Sequence, residues 1–367
     1  MADLKITSRL SELIEQGISE GAFPGLNLVI VNDMGRVTAS YGKKALFPKF
    51  EGNSVDTIYD MASVSKVVST TTAILLLLEE GYLRLYDSVS KYLPLFRHKD
   101  ICVIDLITHT SGLQSDLPKA ASIKSRKDAL EMIYNCDPVY EKGSKIVYSD
   151  VGFILLGFII ESIAKTGLDV FTKSKIFLPL EMKDTGYNPE DKIRCAPTEE
   201  RRDTIFDGIV RGHVHDEKAY ILGGVAGHAG LFSTVSDLGN FIKMVLDEGK
   251  YKNNQFMSKA CINMLFRPRM AVFETNKIDE IPLQRRSVGW ICDENNSNGG
   301  DFISPLTITH TGFTGTNIVI DKGNRIGFSL LSNRVHPTRD NLKHMSYRSK
   351  IGNYIISHYG LGAKNDI

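Results

Sequence analysis

The chain has 367 residues, enough to bury a large core as one large or two modest domains, and a formal net charge of +1. That balance excludes nucleic acid or an anionic membrane as a partner chosen by bulk electrostatics, and no run of Lys and Arg stands out. Five scattered cysteines (Cys102, Cys136, Cys195, Cys261, Cys292) lack metal or redox spacing and read as idle thiols of a reducing compartment.

Taken in order, apolar residues at Ile6, Leu10, Leu13, Ile14 and Ile18 predict a helix over Ile6 to Ile18, ended by Gly21 and Pro24-Gly25. Leu26 to Val31 predicts a buried strand, Asn32 to Gly35 a turn, and the alternating Arg36 to Tyr41 the second strand of a hairpin. From there to about Pro268 the pattern is mostly helical: Val103 to Thr108, Ser125 to Asn135, and the strongly apolar Val151 to Lys165, whose Gly152 and Gly157 suggest close packing. Ser236-Asp237 is expected to cap a helix over Leu238 to Glu248, closed by Gly249. Strands return at Val288 to Ile291, Thr307 to Thr311, Asn317 to Asp321 and Arg325 to Leu331, and Asn341 to Tyr359 reads as a terminal helix. Strands at both ends and helices between them predict an α+β fold. The expected division is a sheet domain of residues 1–56 and 286–367 and a mainly helical domain of residues 57–285, with an active site at their interface.

No transmembrane segment is expected, since Ala73 to Leu78 and Val151 to Ile160 fall short of the roughly 20 apolar residues that cross a bilayer. Met1-Ala2-Asp3-Leu4-Lys5 has no apolar core, so the sequence as it stands reads as cytoplasmic, and as extracytoplasmic if a leader precedes it.

Chemistry concentrates at Ser63-Val64-Ser65-Lys66, which opens a long apolar run to Leu78. A serine and a lysine three apart share a helix face. If Ser63 begins that helix, the positive dipole end favours charge on its hydroxyl and pushes Lys66 towards the neutral form that can accept a proton. Ser88-Val89-Ser90-Lys91 repeats the same letters, but Pro94 follows, so Ser88 and Lys91 are assigned to a solvated turn or short helix. Tyr148-Ser149-Asp150 precedes the apolar helix and presents Tyr148 from a loop, where a phenol beside an ammonium can serve as base. His310-Thr311-Gly312 ends a strand, Gly312 would let a substrate backbone approach its edge, and the N–H groups of Ser63 and Phe313 are the candidate oxyanion hole.

These three motifs in this order resemble those of the serine β-lactamase and penicillin-binding-protein family, in the branch of class C β-lactamases, D-Ala-D-Ala carboxypeptidases and related esterases. Leu106 to Leu113, Gly223 to Ser233 and Ser332 to Pro337 also look like family segments. The resemblance implies a sheet domain and a helical domain with the site between them. It makes Ser63 the acylated nucleophile, gives Lys66 and Tyr148 general acid and base duty, and sets His310 and Thr311 against a substrate carboxylate. No cofactor is implied. The partners implied are a D-Ala-D-Ala peptide, a β-lactam or an ester.

Two departures matter. Asp150 stands where β-lactamases usually have asparagine; a carboxylate can only accept, and it would stabilise protonated Lys66 and favour Tyr148 as base. His310 stands where class C β-lactamases have lysine, so carboxylate binding is expected to be partly cationic and pH-sensitive. Both favour a peptidase or esterase over a β-lactamase. His213-Val214-His215-Asp216 with His228 also has the residue types of a metal site, against which a cleft-lining loop is the preferred reading, and His109 is expected to make a structural hydrogen bond.

Overall fold

The computed structural model describes residues 4–118, 123, 125–272, 284–292 and 298–362, without the side chains of 270–272 and 284. A nine-stranded antiparallel sheet runs, edge to edge, through Met270–Val272, Gln284–Arg286, Ile291–Cys292, Thr307–Thr311, Asn317–Asp321, Ile326–Leu331, Gly25–Asn32, Gly35–Ala45 and Glu51–Gly52. Chain order and sheet order therefore part at one seam, where the N-terminal strand pairs with the C-terminal one, Asn27 opposite Leu331 and Asn32 opposite Ile326. Gly25–Asn32 is buried along its whole length because both faces of the sheet are covered. Its side chains alternate between them: Val29 and Val31 join the large core under the helices, while Leu28 and Ile30 join a smaller core with Leu10, Ile14, Phe328, Ile351 and Ile355.

That second core is roofed by the helices Ser8–Ser19 and His344–Tyr359. The first of these is capped by Thr7, whose hydroxyl accepts the Leu10 amide, so it starts two residues later than the apolar stripe predicts. On the other face the helix Val235–Leu246 packs on the sheet, and Gly327 leaves room for it: a Cβ there would lie 2.3 Å from Ile242. Its cap is Thr234, which accepts the Asp237 amide, and not Ser236-Asp237 as expected. The strand expected over Val288 to Ile291 shortens to Ile291–Cys292, because Gly289 adopts φ +77° and its amide turns to Ile107 O at 3.0 Å.

The segment Ala62–Glu79 is long and apolar enough to cross a membrane by composition, yet 78% of it is buried inside the protein. It is the central helix of the core, and the helix Asp150–Ala164 packs against it. Close packing is confirmed at Gly157, where a Cβ would lie 3.0 Å from the Gly227 amide, but Gly152 has ordinary room for one.

Candidate active site

Ser63 sits in a single 3-10 turn, Ala62–Val64, followed by a π-helical stretch, Lys66–Thr71, before α-helix proper begins at Thr72. The regular N-terminus expected at Ser63 is therefore absent. Ala62 holds a left-handed φ of +45°, a sparsely populated conformation for alanine that aims the next residue out of the helix line. Asp60 fixes that turn: one carboxylate oxygen accepts the Ala62 amide at 2.8 Å and the other accepts the His215 amide at 2.7 Å. Ser65 adds a second tie, donating to Ala62 O at 2.6 Å while accepting the Leu231 amide at 3.1 Å.

Lys66 is fully buried, and its Nζ donates to Ser63 Oγ at 3.0 Å and His228 O at 2.9 Å. Asp150 Oδ1 lies 2.7 Å from the same nitrogen, and the Tyr148 ring centroid 4.8 Å away. The placement of the second motif follows from local sequence. Ser149 caps the helix Asp150–Ala164 by accepting the Gly152 amide, which puts Asp150 in its first turn and leaves Tyr148 just outside it. His109, itself at a left-handed φ of +61°, accepts the Ser149 amide through Nδ1 at 3.0 Å and lies 4.7 Å from the Tyr148 ring, the structural role expected of it.

Burial alone pulls the Lys66 ammonium down, but the Asp150 carboxylate and the Tyr148 phenol outweigh it and hold the lysine above its ordinary value. The neutral Lys66 expected from a helix dipole is thus corrected, while the protonated Lys66 expected from Asp150 is what the site holds. The dipole of a regular helix is missing and a carboxylate takes its place, so Lys66 is a cation at neutral pH. Burial pushes the Tyr148 phenol above its ordinary value, against the opposing pull of Lys66 and Ser63.

The third motif lies across the nucleophile turn. Thr314 donates to Asp60 O at 2.7 Å and Thr316 to Met61 O at 3.0 Å. Gly312 is required by this docking: a Cβ would lie 2.2 Å from Thr316 Oγ1 and 2.5 Å from Met61 O, a tighter demand than the substrate approach expected of it. His310 is buried 6.3 Å from the Tyr148 ring; its Nδ1 faces Thr311 O at 3.0 Å and its Nε2 has no partner. Burial first, then the charges of Arg286 and Lys66, push it well below 6.5. His310 is neutral at physiological pH, which corrects the expected pH-sensitive cation. Phe313 is half exposed at the rim, stacked on His215 at 5.6 Å with the Arg334 guanidinium 4.5 Å from its ring.

The histidine group does not assemble as the metal reading required. His213 turns to Lys192 at 2.8 Å and His215 to Glu199 at 3.0 Å, leaving Asp216 and His228 paired at 2.9 Å. Donor atoms of Asp150, Asp216 and His228 do lie within 4.8 Å of one another, but Asp150 already faces the Lys66 cation. Ser88 and Lys91 are remote, with Lys91 exposed and paired to Asp87 at 2.9 Å. Two residues at the site carried no signal in the sequence. Asp60 is one; the other is Arg286, on the strand Gln284–Arg286, whose guanidinium carbon lies 5.6 Å from the Tyr148 ring centroid.

The β-lactamase family model matches residues 10–350. An N-acetylmuramyl-L-alanine amidase of Bacillus subtilis is 34% identical over 89% of this chain and 81% of its own length. A Salmonella typhi protein named as a D-alanyl-D-alanine carboxypeptidase is 33% identical over 89% of this chain and 82% of its own. The octameric penicillin-binding protein homologue of Pyrococcus abyssi shares the fold, with a TM-score of 0.72 at 22% identity over 95% of this chain and 76% of that one. The chain belongs to the β-lactamase family of serine hydrolases.

Proposed function

We propose that this enzyme cleaves amide bonds of peptidoglycan-type peptides through an acyl-enzyme on Ser63, as a D-alanyl-D-alanine carboxypeptidase or a closely related peptidase. The observation that carries the reading is the buried Lys66, bound at once to Ser63 Oγ and to the Asp150 carboxylate with Tyr148 beside it. The names of the amidase and carboxypeptidase relatives support an amide substrate.

In the reading, Tyr148 reacts from its phenolate form, a minor population at neutral pH because burial holds the phenol above its ordinary value; the phenolate takes the Ser63 proton as Oγ attacks the carbonyl carbon, and Lys66 stabilises the charge on the oxygen it already touches. The amides of Ser63 and Phe313 receive the oxyanion, since the turn that carries Phe313 is docked on the turn that carries Ser63. Tyr148 then returns the proton to the leaving nitrogen, and water repeats the sequence to release the acyl group. A carboxylesterase is the second reading, favoured by one observation: a neutral His310 gives the third motif no charge for a substrate carboxylate.

The test is the intact mass after incubation with benzylpenicillin, alongside Ser63→Ala and Ser88→Ala. One stoichiometric adduct lost only in Ser63→Ala supports the peptidase. Labelling of Ser63 by a fluorophosphonate without a penicillin adduct supports the esterase, and no labelling by either reagent refutes both.

A further inference from the structure

The carbonyl that holds Lys66 belongs to the loop Gly223-Gly224-Val225-Ala226-Gly227-His228-Ala229-Gly230, where His228 O accepts Nζ at 2.9 Å. The loop lies between the helix Glu217–Ile221 and the strand Leu231–Ser233, and four of its eight residues are glycine. Such a backbone has many conformations to lose and does not aim a carbonyl by itself. His228 carries the loop's one polar side chain. That side chain is 1% exposed, and its Nε2 meets Asp216 Oδ1 at 2.9 Å. Thr70 donates to Gly227 O at 2.7 Å and fixes the peptide before His228, while the imidazole fixes the residue whose own carbonyl faces Lys66.

Asp216 is anchored in turn. It caps the helix Glu217–Ile221 by accepting the Ala219 amide at 2.8 Å, and the residue before it, His215, gives its amide to Asp60. Burial alone would raise the Asp216 carboxyl, but the His228 imidazole outweighs burial and the carboxyl stays below its ordinary value. The contacts close a ring around the nucleophile. Ser63 is bound to Lys66, Lys66 to the His228 carbonyl, and the His228 imidazole to Asp216; His215 and Asp60 then lead back to the Ala62 amide, beside Ser63. The Asp216–His228 pair is the link that joins the lysine side of this ring to the serine side. The same crossing brings donor atoms of Asp150, Asp216 and His228 within 4.8 Å of one another, since Asp150 and the His228 carbonyl both grip Lys66. Neither the Asp216 nor the His228 side chain has a part in the proton transfers described above.

We infer that Asp216 and His228 are positioning residues for acyl transfer, whose pairing sets the His228 carbonyl on Lys66 and through it the place of Nζ against Ser63 Oγ. This rests on the acyl-enzyme reading above and deepens it.

The experiment follows the labelling of Ser63 by benzylpenicillin and by a fluorophosphonate, each resolved into a maximal rate and a half-saturating concentration. The proteins are the wild type, His228→Gln, His228→Met and His228→Met combined with Asp216→Asn. Glutamine and methionine have nearly the same length and volume, but only glutamine can place an N–H where Nε2 stands. His228→Met is expected to lower the maximal rate by about tenfold to a hundredfold, the cost of a misplaced reacting group, and to leave the half-saturating concentration unchanged. His228→Gln is expected to recover most of that rate. Residues that act as a unit are not additive, so adding Asp216→Asn, which keeps the helix cap, is expected to cost nothing more. An unimpaired His228→Met, equal losses in His228→Met and His228→Gln, a loss carried by the half-saturating concentration, or a further loss on adding Asp216→Asn would each overturn the inference. So would a His228→Met protein that does not fold, because the pair would then serve stability. A wild type whose Ser63 neither reagent labels removes the acyl-enzyme reading and the inference with it, whereas every other failure leaves that reading standing.

Discussion

Replacing Asp150 by asparagine should convert a stabilising lysine into a pH-dependent liability. In the wild type the Asp150 carboxylate lies 2.7 Å from a fully buried ammonium and keeps Lys66 above its ordinary pKa. An amide retains the shape and an acceptor oxygen but removes the charge, leaving burial as the dominant influence, and burial favours neutral lysine. Breaking one partner out of a buried pair costs about 3–5 kcal/mol. The sign is fixed by proton binding. With the folded pKa below the unfolded value, the unfolded variant binds more protons, so its stability rises with pH until lysine is neutral in both states near pH ~10. Wild-type Lys66, with its pKa raised, contributes fully below the unfolded value and loses that contribution only as pH rises through the folded one. The gap between the two proteins is therefore widest near neutrality and closes in alkali. At an unfolding entropy of about 2 cal/mol/K per residue over 367 residues, roughly 4 kcal/mol lowers Tm by about 5 °C. Scanning calorimetry of both proteins at several pH values between about 6.5 and 9.5 measures the gap. A constant gap, or one that widens with pH, would refute the electrostatic account of Lys66.

Other consequences are as specific. Tyr148→Phe should lower the acylation rate by about 10²–10⁴ with little change in Tm, read from the time course of the penicillin or fluorophosphonate adduct; an unimpaired rate would remove Tyr148 from the mechanism. Gly312→Ala forces a Cβ to within 2.5 Å of Met61 O and should cost about 1–3 kcal/mol together with most of the activity, whereas Gly152→Ala, with 3.6 Å to its nearest neighbour, should leave Tm and turnover close to wild type. Since His310 is held neutral far below 6.5, KM for a carboxylate-bearing substrate should stay flat from about pH 5.5 to 8; a rise with a midpoint near 6.5 would restore the histidine as the cation.

The sequence carried what is local and what repeats. Thr307–Thr311 and Asn317–Asp321 match the expected strands residue for residue, because each is a short apolar or β-branched run bounded by a glycine turn. The helix Asp150–Ala164 departs from expectation by one residue at each end, where Ser149 and a left-handed Lys165 cap it. The three motifs are close in space as the family resemblance implied, with Lys66 touching both Ser63 and Asp150. What stayed illegible depends on partners distant in the chain. The charge of Lys66 was legible through Asp150, 84 positions later, which was expected to stabilise the protonated form, whereas that of His310 is decided by Arg286 and burial. The histidines near His213 were grouped by spacing, yet His213 and His215 turn to Lys192 and Glu199, which that spacing does not reveal, and only His228 pairs within the group, with Asp216. The left-handed Ala62 has no signature, since the conformation is imposed from outside by Asp60.

The seam of the sheet sets an order of events during synthesis. Gly25–Asn32 lies between Gly35–Ala45 and Ile326–Leu331, so one of its two neighbours reaches the ribosome exit some 300 residues after it. Until then a mostly apolar strand, buried along its whole length in the finished protein, has an open edge, the kind of surface that invites pairing with another chain. The docking of Thr314 and Thr316 on the Ser63 turn waits on the same late segment. The nucleophile is thus translated early and armed last, and a half-made chain has no shaped site with which to attack passing esters. Pulse-labelling hydrogen exchange during refolding would show Leu28 and Ile30 protected in the same late phase as Phe328; earlier protection of Leu28 and Ile30 would separate hairpin formation from closure of the sheet.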